Sequence, residues 1–265
     1  MSSAQTIEET SVRYIEEPPI NSYTEAFFSN YAGIPPSELR HHLIYNRERA
    51  WNKFKYPCLG RWGFLDFSIR HSPIYREIIE KCKNQGATII DFGCCLGQDV
   101  RQVIYDGVSI EQVRGYELDP FFIEQGYQLF HDEQLMKEKN VFSTGDIFDI
   151  QFLETVQPAD YLYIGLFLHL FDQQTQKDVC RRLSRLCKST IFGQQAGSSV
   201  AMERPSPPGY PSEKRMCHSI ESFAHMWDEA TDGMWQVETT TLQGIHRNKY
   251  VQEMLTFVVR KKDKQ

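Results

Sequence analysis

The stretch from Ala87 to Asp99, Ala-Thr-Ile-Ile-Asp-Phe-Gly-Cys-Cys-Leu-Gly-Gln-Asp, constrains the fold more than any other part of the chain. A short apolar run, Thr88 to Phe92, leads through two glycines four residues apart into a polar helix start. The pattern predicts a buried strand, a tight turn and a helix in immediate succession. One carboxylate, Asp91, interrupts the run at the strand's carboxyl end, the edge where open α/β sheets bind ligands. Gly93 and Gly97 permit positive φ or a close approach of backbone to ligand. The turn is therefore expected to hold a nucleotide-like cofactor.

A dinucleotide fingerprint would need G-x-G-x-x-G, with the pyrophosphate on the helix N-terminus. Counting from Gly93, the third position is Cys95 and the sixth is Gln98, so the fingerprint fails. The remaining pattern has an acidic residue two before the first glycine and a second glycine four after it. It is similar to the first motif of class I S-adenosylmethionine-dependent methyltransferases, D-x-G-x-G-x-G, with Cys95 narrowing the turn in place of the middle glycine. That cofactor is a sulfonium with a free amino acid end and no phosphate. Asp91 and the loop from Gly93 through Cys94 to Gly97 and Gln98 are expected to serve its ammonium and carboxylate.

At 265 residues the chain is long enough for one large α/β domain or one domain with an elaborated end. The net charge is -6, and lysines and arginines are dispersed except at Arg260-Lys261-Lys262, so no basic stripe follows a nucleic acid backbone. Met1 to Asn21 lacks the basic and apolar regions of a signal peptide, and no run approaches the ~18 apolar residues of a membrane helix. A cytoplasmic protein without a membrane span is expected. The seven cysteines are odd in number and form no C-x-x-C pair, which suits reduced thiols better than disulfides or a zinc site. Adjacent Cys94 and Cys95 are not expected to share a metal, because successive residues rarely aim both sulfurs at one ion.

Taken in order, the first ~20 residues read as loosely attached. Ser22 to Tyr31 and Ser37 to Phe54 read as helices, the second capped by Ser37. Tyr56 to Phe67 is an aromatic, glycine-bearing segment without a period, either a flap on the core or a lid over an apolar substrate. Ser72-Pro73 reads as a capped helix start, with Gly86 as its end. Strands are expected at Thr88–Phe92, Val113–Asp119, Val141–Thr144, Ala159–Ile164 and Thr190–Phe192, with helices at Asp99–Tyr105, Phe121–Asp132 and Gln173–Cys187 between them. A helix, Ser219 to Glu229, and two alternating strands, Trp235–Leu242 and Glu253–Arg260, finish the chain. The expected fold is an α/β, Rossmann-like doubly wound sheet with an antiparallel C-terminal end. Residues 1–71 would form a helical and aromatic extension and 72–265 the cofactor-binding domain.

Glu117 lies 24 residues beyond Gly93 at the end of the second strand, where a carboxylate can accept both ribose hydroxyls of a nucleoside; Asp119 is its rival. Leu118 flanks it. In the methyltransferase pattern that the first motif resembles, an acidic residue after the third strand accepts the adenine amino group and the next apolar side chain packs on the ring, which implies Asp146 and Ile147, with Asp149 as the alternative. Gly165 at the end of the fourth strand leaves room for the reacting methyl group. The strings Gly93-Cys-Cys-Leu-Gly-Gln-Asp-Val-Arg101, Asp106-Gly107, Gly126-Tyr-Gln-Leu-Phe-His-Asp132 and Met226-Trp227 resemble the fungal secondary-metabolite methyltransferases of meroterpenoid pathways. The similarity runs from about Tyr56 to the C-terminus. It implies a class I fold, S-adenosylmethionine as donor, a homodimer, and methyl ester formation on a carboxylate of an apolar intermediate.

A carboxylate acceptor, with a reference pKa of ~4, is ionised at neutral pH and needs no base. A phenol near ~10 would benefit from one, and His169 is the candidate catalytic base, the alternative being that Leu166 to Phe171 is a helix start with a hydrogen-bonded histidine. Arg61, Arg70, His71, Arg204 and His218 are available to grip an acid, and Pro205 to Pro211 reads as an ordered substrate loop or a gate. A cofactor-binding module without chemistry and a nicotinamide-dependent oxidoreductase on the same topology are the rival readings.

Overall fold

The computed structural model describes residues 14–207, 209–247 and 250–262. Five parallel strands form the core of a seven-stranded sheet: β1 (Ile89–Phe92), β2 (Val113–Glu117), β3 (Phe142–Thr144), β4 (Ala159–Gly165) and β5 (Cys187–Ala196). Their order is β3-β2-β1-β4-β5, and β1 pairs in parallel with both β2 and β4. The chain therefore winds outward from β1 in both directions. This leaves a crevice at the carboxyl ends of β1 and β4, where the winding reverses. The helices between these strands, among them α5 (Gln98–Tyr105), α6 (Pro120–Phe130) and α9 (Gln173–Leu183), cover the two faces. Each face closes on its own apolar cluster, one around Ile90, Leu162, Ile191 and Trp227, the other around Ile89, Val113, Tyr163 and Phe192. Alternation along the strands sends neighbouring residues to opposite clusters.

After β5 come a short hairpin, β6 (Met202–Pro205) and β7 (Lys214–Cys217), then α10 (Ile220–Ala230) and the strands β8 (Trp235–Arg247) and β9 (Tyr250–Lys261). Strand β9 adds antiparallel to β5, and β8 forms the sheet edge. This is the class I methyltransferase architecture, with the antiparallel end that the late alternating strands predict.

At the N-terminal end, α1 (Ser22–Ala32), α2 (Pro36–Lys53) and the single turn α3 (Pro57–Gly60) form a third apolar cluster. Phe27, Phe28 and Leu39 share it with Leu96, Phe122, Leu129 and Phe130 of the sheet layer. Residues 1–13 of the segment read as loosely attached lie outside the described residues, and the rest is tied down. Ile15 donates its N–H to Gly60 O at 2.8 Å, and its carbonyl accepts from Arg47 Nη1 at 2.8 Å and Trp62 Nε1 at 2.9 Å.

Three local expectations are corrected. Helix α2 begins at Pro36, so Ser37 lies inside its first turn and makes no cap. Helix α4 (Tyr75–Gln85) begins after Ser72-Pro73, and the buried Ser72 hydroxyl has no partner among the described residues. A 3₁₀ turn, Ser68–His71, takes up the chain just before it. Cys187 opens β5 rather than closing α9. The aromatic segment 56–67 has no period because Trp62 (φ 62°) and Phe67 (φ 45°) adopt the left-handed region, which large side chains enter only under strong tertiary constraint.

Candidate active site

Three carboxylates stand side by side because three parallel neighbours end together: Asp91 on β1, Glu117 on β2 and Asp146 just past β3. They face a cavity of about 500 Å³ at the carboxyl edge of the sheet. Gly93, Cys94, Gln98, Leu118, Ile147 and Gly165 line the same cavity. Gly97 and His169 are not among its lining residues.

The loop after β1 is fastened to β2. Gly93 and Cys94 both donate backbone N–H groups to Tyr116 O, at 2.8 and 3.0 Å. Cys95 holds φ 51°, the conformation a glycine would take there, at a cost of about 1–2 kcal/mol. Its N–H donates to Glu117 Oε2 at 2.9 Å. Gly97 (φ 70°) is required by the protein's own packing: a Cβ there would lie 2.6 Å from the Phe142 ring and 2.7 Å from Arg101 Nη1. Buried Arg101 donates to Leu96 O at 2.7 Å and Gly97 O at 3.2 Å, and pairs with Asp132 through Nε at 2.6 Å and Nη2 at 2.8 Å.

Glu117 Oε1 accepts the N–H groups of Leu118 (2.8 Å) and Asp119 (3.2 Å). Burial pushes the Glu117 carboxyl upward, against those amide bonds. Asp119, the rival, is committed elsewhere: it caps α6 at Phe121 N (3.0 Å) and pairs with Lys53 at 3.0 Å. Asp91 Oδ2 and Gln98 Oε1 are buried acceptors without a hydrogen-bond partner among the described residues. Native proteins rarely leave such atoms unmatched, so they call for donors from a ligand. Burial, then Asp99 and Glu117, holds the Asp91 carboxyl well above the usual range.

Tyr163, at the end of the fourth strand, is expected to line the site, but its link to Ser68 and Asp99 is not visible in the sequence. Ser68, from the 3₁₀ turn, hydrogen-bonds Tyr163 Oη at 2.8 Å and reaches Asp99 Oδ2 at 3.4 Å. Asp99 Oδ1 accepts Ile69 N–H at 2.9 Å, and Oδ2 accepts Gln98 Nε2 at 2.8 Å. Burial raises Asp99 to about 6. The rest of the wall is aromatic, with Tyr56 and Phe64 from the N-terminal segment, Phe122 from α6, and Phe148, Phe167 and Phe171 around the third and fourth strand ends. Leu166 (φ 55°) holds the turn after Gly165 in the left-handed region, its N–H on Gln194 O at 2.7 Å. From the hairpin connection, Gly209 and Pro211 also reach the cavity; residue 208 lies outside the described residues.

The proposed acid-gripping residues take other positions. Arg70 lies over the Tyr23 ring at 3.6 Å, and buried His218 bonds Ser222 Oγ at 2.9 Å. Among the described residues, no lysine, arginine or histidine lines the cavity. His169 sits in a buried 3₁₀ turn, Leu168–Leu170, where burial and then Arg215 lower its pKa to about 3. Its neighbours Phe167 and Leu170 line the cavity instead.

The residues fit the cofactor that the resemblance implies. Asp91 Oδ2 and Gln98 Oε1 offer free acceptors for an ammonium, Glu117 keeps lone pairs for hydroxyl groups, and Asp146 accepts Phe148 N–H at 2.8 Å while its carboxylate lines the cavity. Comparison with known proteins agrees. Residues 13–65 match the family model described as meroterpenoid methyltransferase N-terminal domain, so the likeness to the family begins well before Tyr56, its expected start. The chain is 35% identical over 236 residues to the O-methyltransferase atr3 of Stereocaulon alpinum, covering 85% of this chain and 67% of that one. It is 30% identical over 210 residues to the methyltransferase ausD of Penicillium brasilianum, covering 77% and 74%. In fold it is similar to the 1,6-didemethyltoxoflavin-N1-methyltransferase of Burkholderia thailandensis (TM-score 0.56, 13% identity, 87% and 92% covered). It is similar also to the magnesium protoporphyrin IX methyltransferase of Synechocystis (TM-score 0.51, 12% identity, 82% and 97% covered). With this fold, these strand-end carboxylates and relatives of this identity, the chain belongs to the fungal meroterpenoid-pathway family of class I S-adenosylmethionine-dependent methyltransferases.

Proposed function

We propose that this enzyme methylates a carboxylate of an apolar meroterpenoid intermediate, forming a methyl ester. The observation that supports a carboxylate is the absence of a candidate base: no lysine, arginine or histidine is among the cavity's described lining residues, so the cation that would hold the acid is the cofactor's own sulfonium. A hydroxyl acceptor near pKa ~10 calls for a base, whereas a carboxylate is already ionised. Asp99, raised to about 6 by burial, already accepts from Ile69 and Gln98.

The bound cofactor supplies an electrophilic methyl group on a positively charged sulfur. On this reading Glu117 holds the ribose, Asp146 and Ile147 the adenine, and Asp91 with Gln98 the amino acid end. The walls formed by Tyr56, Phe64, Phe167 and Phe171 exclude water and orient the acceptor. Holding the nucleophile in line can supply up to ~7 to 11 kcal/mol of the barrier reduction. Assembly as a homodimer belongs to the same proposal and rests on the resemblance alone; sedimentation tests it. No helix among the described residues is long and apolar enough to cross a membrane.

The deciding experiment offers matched apolar carboxylic acids and phenols with S-adenosylmethionine from pH 6 to 9. Ester formation at a rate nearly flat in pH is the expected result. Ether formation rising through a single ionisation would transfer the activity to a hydroxyl. Cofactor binding without any turnover would favour the non-catalytic module.

A further inference from the structure

Arg47, on α2, is almost completely buried, yet the proposed chemistry makes no use of it. Its guanidinium lies between two rings, 4.1 Å from the centre of Tyr14 and 4.0 Å from that of Trp62. The fork donates to three backbone carbonyls: Nη1 to Ile15 O at 2.8 Å and Gly60 O at 3.4 Å, and Nη2 to Glu16 O at 3.2 Å. Its Nε pairs with Glu48 Oε1 at 2.9 Å, the oxygen that also accepts the Tyr14 hydroxyl. Burying a charge is tolerable when it is paired and hydrogen-bonded in this way. A planar cation with donors in a fixed fork suits the position, and the point charge of a lysine does not.

The cation joins a strap to a wall. The strap is Tyr14 to Glu16; the wall is the segment that supplies Tyr56, Cys58, Leu59, Gly63 and Phe64 to the cavity. Trp62, fully buried, turns the chain within that segment at φ 62°, a conformation costly for a large side chain. Its side chain is held from outside the segment. The indole Nε1 donates to Ile15 O at 2.9 Å, the ring lies against Arg47, and Ile15 N–H fastens Gly60 O, two residues earlier, at 2.8 Å. Phe64 then packs on Trp62 with ring centres 5.8 Å apart.

We propose that Arg47 and the strap Tyr14–Glu16 are positioning residues for the methyl acceptor: they fix Trp62, and through it the wall of Cys58, Leu59, Gly63 and Phe64 against which an apolar acceptor packs. The inference rests on the methyltransferase reading and extends it to residues outside the cavity lining. An apolar wall favours an apolar acceptor equally before and during methyl transfer, so loosening it raises the acceptor's KM and leaves kcat nearly unchanged. Asp91, Glu117 and Asp146, at the strand ends, take no hydrogen bond from the strap among the described residues, so cofactor affinity should hold.

Three full-length variants test the proposal. Tyr14→Ala removes one ring from the guanidinium, Tyr14→Phe keeps it, and Arg47→Lys keeps the charge without the fork. Steady-state kinetics uses the apolar acid or phenol that wild-type protein methylates fastest, beside calorimetry with S-adenosylhomocysteine. Tyr14→Ala and Arg47→Lys are expected to raise the acceptor's KM at least about fivefold, with kcat and S-adenosylhomocysteine affinity within about twofold of wild type and Tyr14→Phe indistinguishable from it. Either of the first two variants is decisive alone, and Tyr14, only half-buried, is the substitution that folding tolerates better. A role in stability alone would lower the urea midpoint and leave KM and kcat of the folded variants unmoved; that result overturns the inference, as does a loss of S-adenosylhomocysteine affinity in proportion to KM. Alkylation of Cys58 by iodoacetamide, followed by mass spectrometry, reads the wall without turnover: the two variants should speed it at least about threefold, and an unchanged rate also overturns the inference. Wild-type protein that methylates nothing would defeat the methyltransferase reading and leave the alkylation rates to judge the strap.

Discussion

Glu117 accepts the backbone N–H of Cys95 at 2.9 Å, so the carboxylate at the end of β2 holds the left-handed residue at the centre of the cofactor loop. Glu117→Ala removes both a ligand acceptor and this brace. Cofactor affinity is expected to fall by more than ~1 kcal/mol, with part of the loss recovered in Glu117→Gln, which keeps one acceptor oxygen. Calorimetry on the folded variants checks it; undiminished affinity in Glu117→Ala removes Glu117 from the cofactor site.

Gly93 and Gly97 both hold positive φ and would both set a Cβ 2.6 Å from a phenylalanine ring, but only Gly93 lines the cavity. A valine at 97 must adopt φ 70° and displace Phe142 and Arg101, so Gly97→Val should lose about 2 to 5 kcal/mol of stability from backbone strain and overpacking together. Binding and stability should fall in parallel. A variant that unfolds at the wild-type urea midpoint yet binds no cofactor would return Gly97 to the ligand.

The N-terminal helices share their core with the sheet layer. Phe27 is fully buried, 4.4 Å from the Phe67 ring and 4.9 Å from Tyr105. Phe27→Ala is expected to cost about 3–5 kcal/mol and to shift one cooperative transition. Two separate transitions by fluorescence and circular dichroism would show that residues before 72 fold as their own unit.

Burial lowers His169 to about 3 and His218 to about 4, against ~6.5 in the unfolded chain. Between these values the unfolded chain binds more protons, so the stability these histidines contribute is present above pH ~6.5 and is lost as pH falls toward 4. Asp99, raised to about 6, acts in the opposite sense between ~4 and 6. The comparison is therefore made between proteins: wild type should lose more stability than His169→Leu from pH 7.5 to 5.0 in urea titrations. Equal losses would mean that His169 carries its proton in the folded state.

With His169 outside the cavity lining, His169→Asn should slow methyl transfer less than ~10-fold, below the ~10² to 10⁴ expected for a lost general base. Single-turnover rates measure this directly. A thousandfold drop would restore His169 as the base and favour a hydroxyl acceptor.

The alternation of strands and helices, the antiparallel end and the carboxylates Asp91, Glu117 and Asp146 were legible in the residues, because period and spacing are local and each carboxylate lies at or just past the end of its own strand. Two parts of the cofactor loop were not: Gly97 answers to Phe142, 45 positions away, and the missing middle glycine is made good by Glu117. The hairpin of β6 and β7 escaped notice because its strand Met202–Pro205 is exposed throughout and so has no apolar alternation to reveal it. Sequence alone determined the layered sheet and the edge at which a cofactor would sit. Tertiary structure alone decided that Ser68 meets Tyr163 across 95 residues, that Asp119 is spent on Lys53, and that His169 lies buried behind Phe167 and Leu170 rather than among the cavity's lining residues. The reason is that hydrogen bonds and close packing act over a few ångströms of space, and separation along the chain says nothing about which side chains will share them.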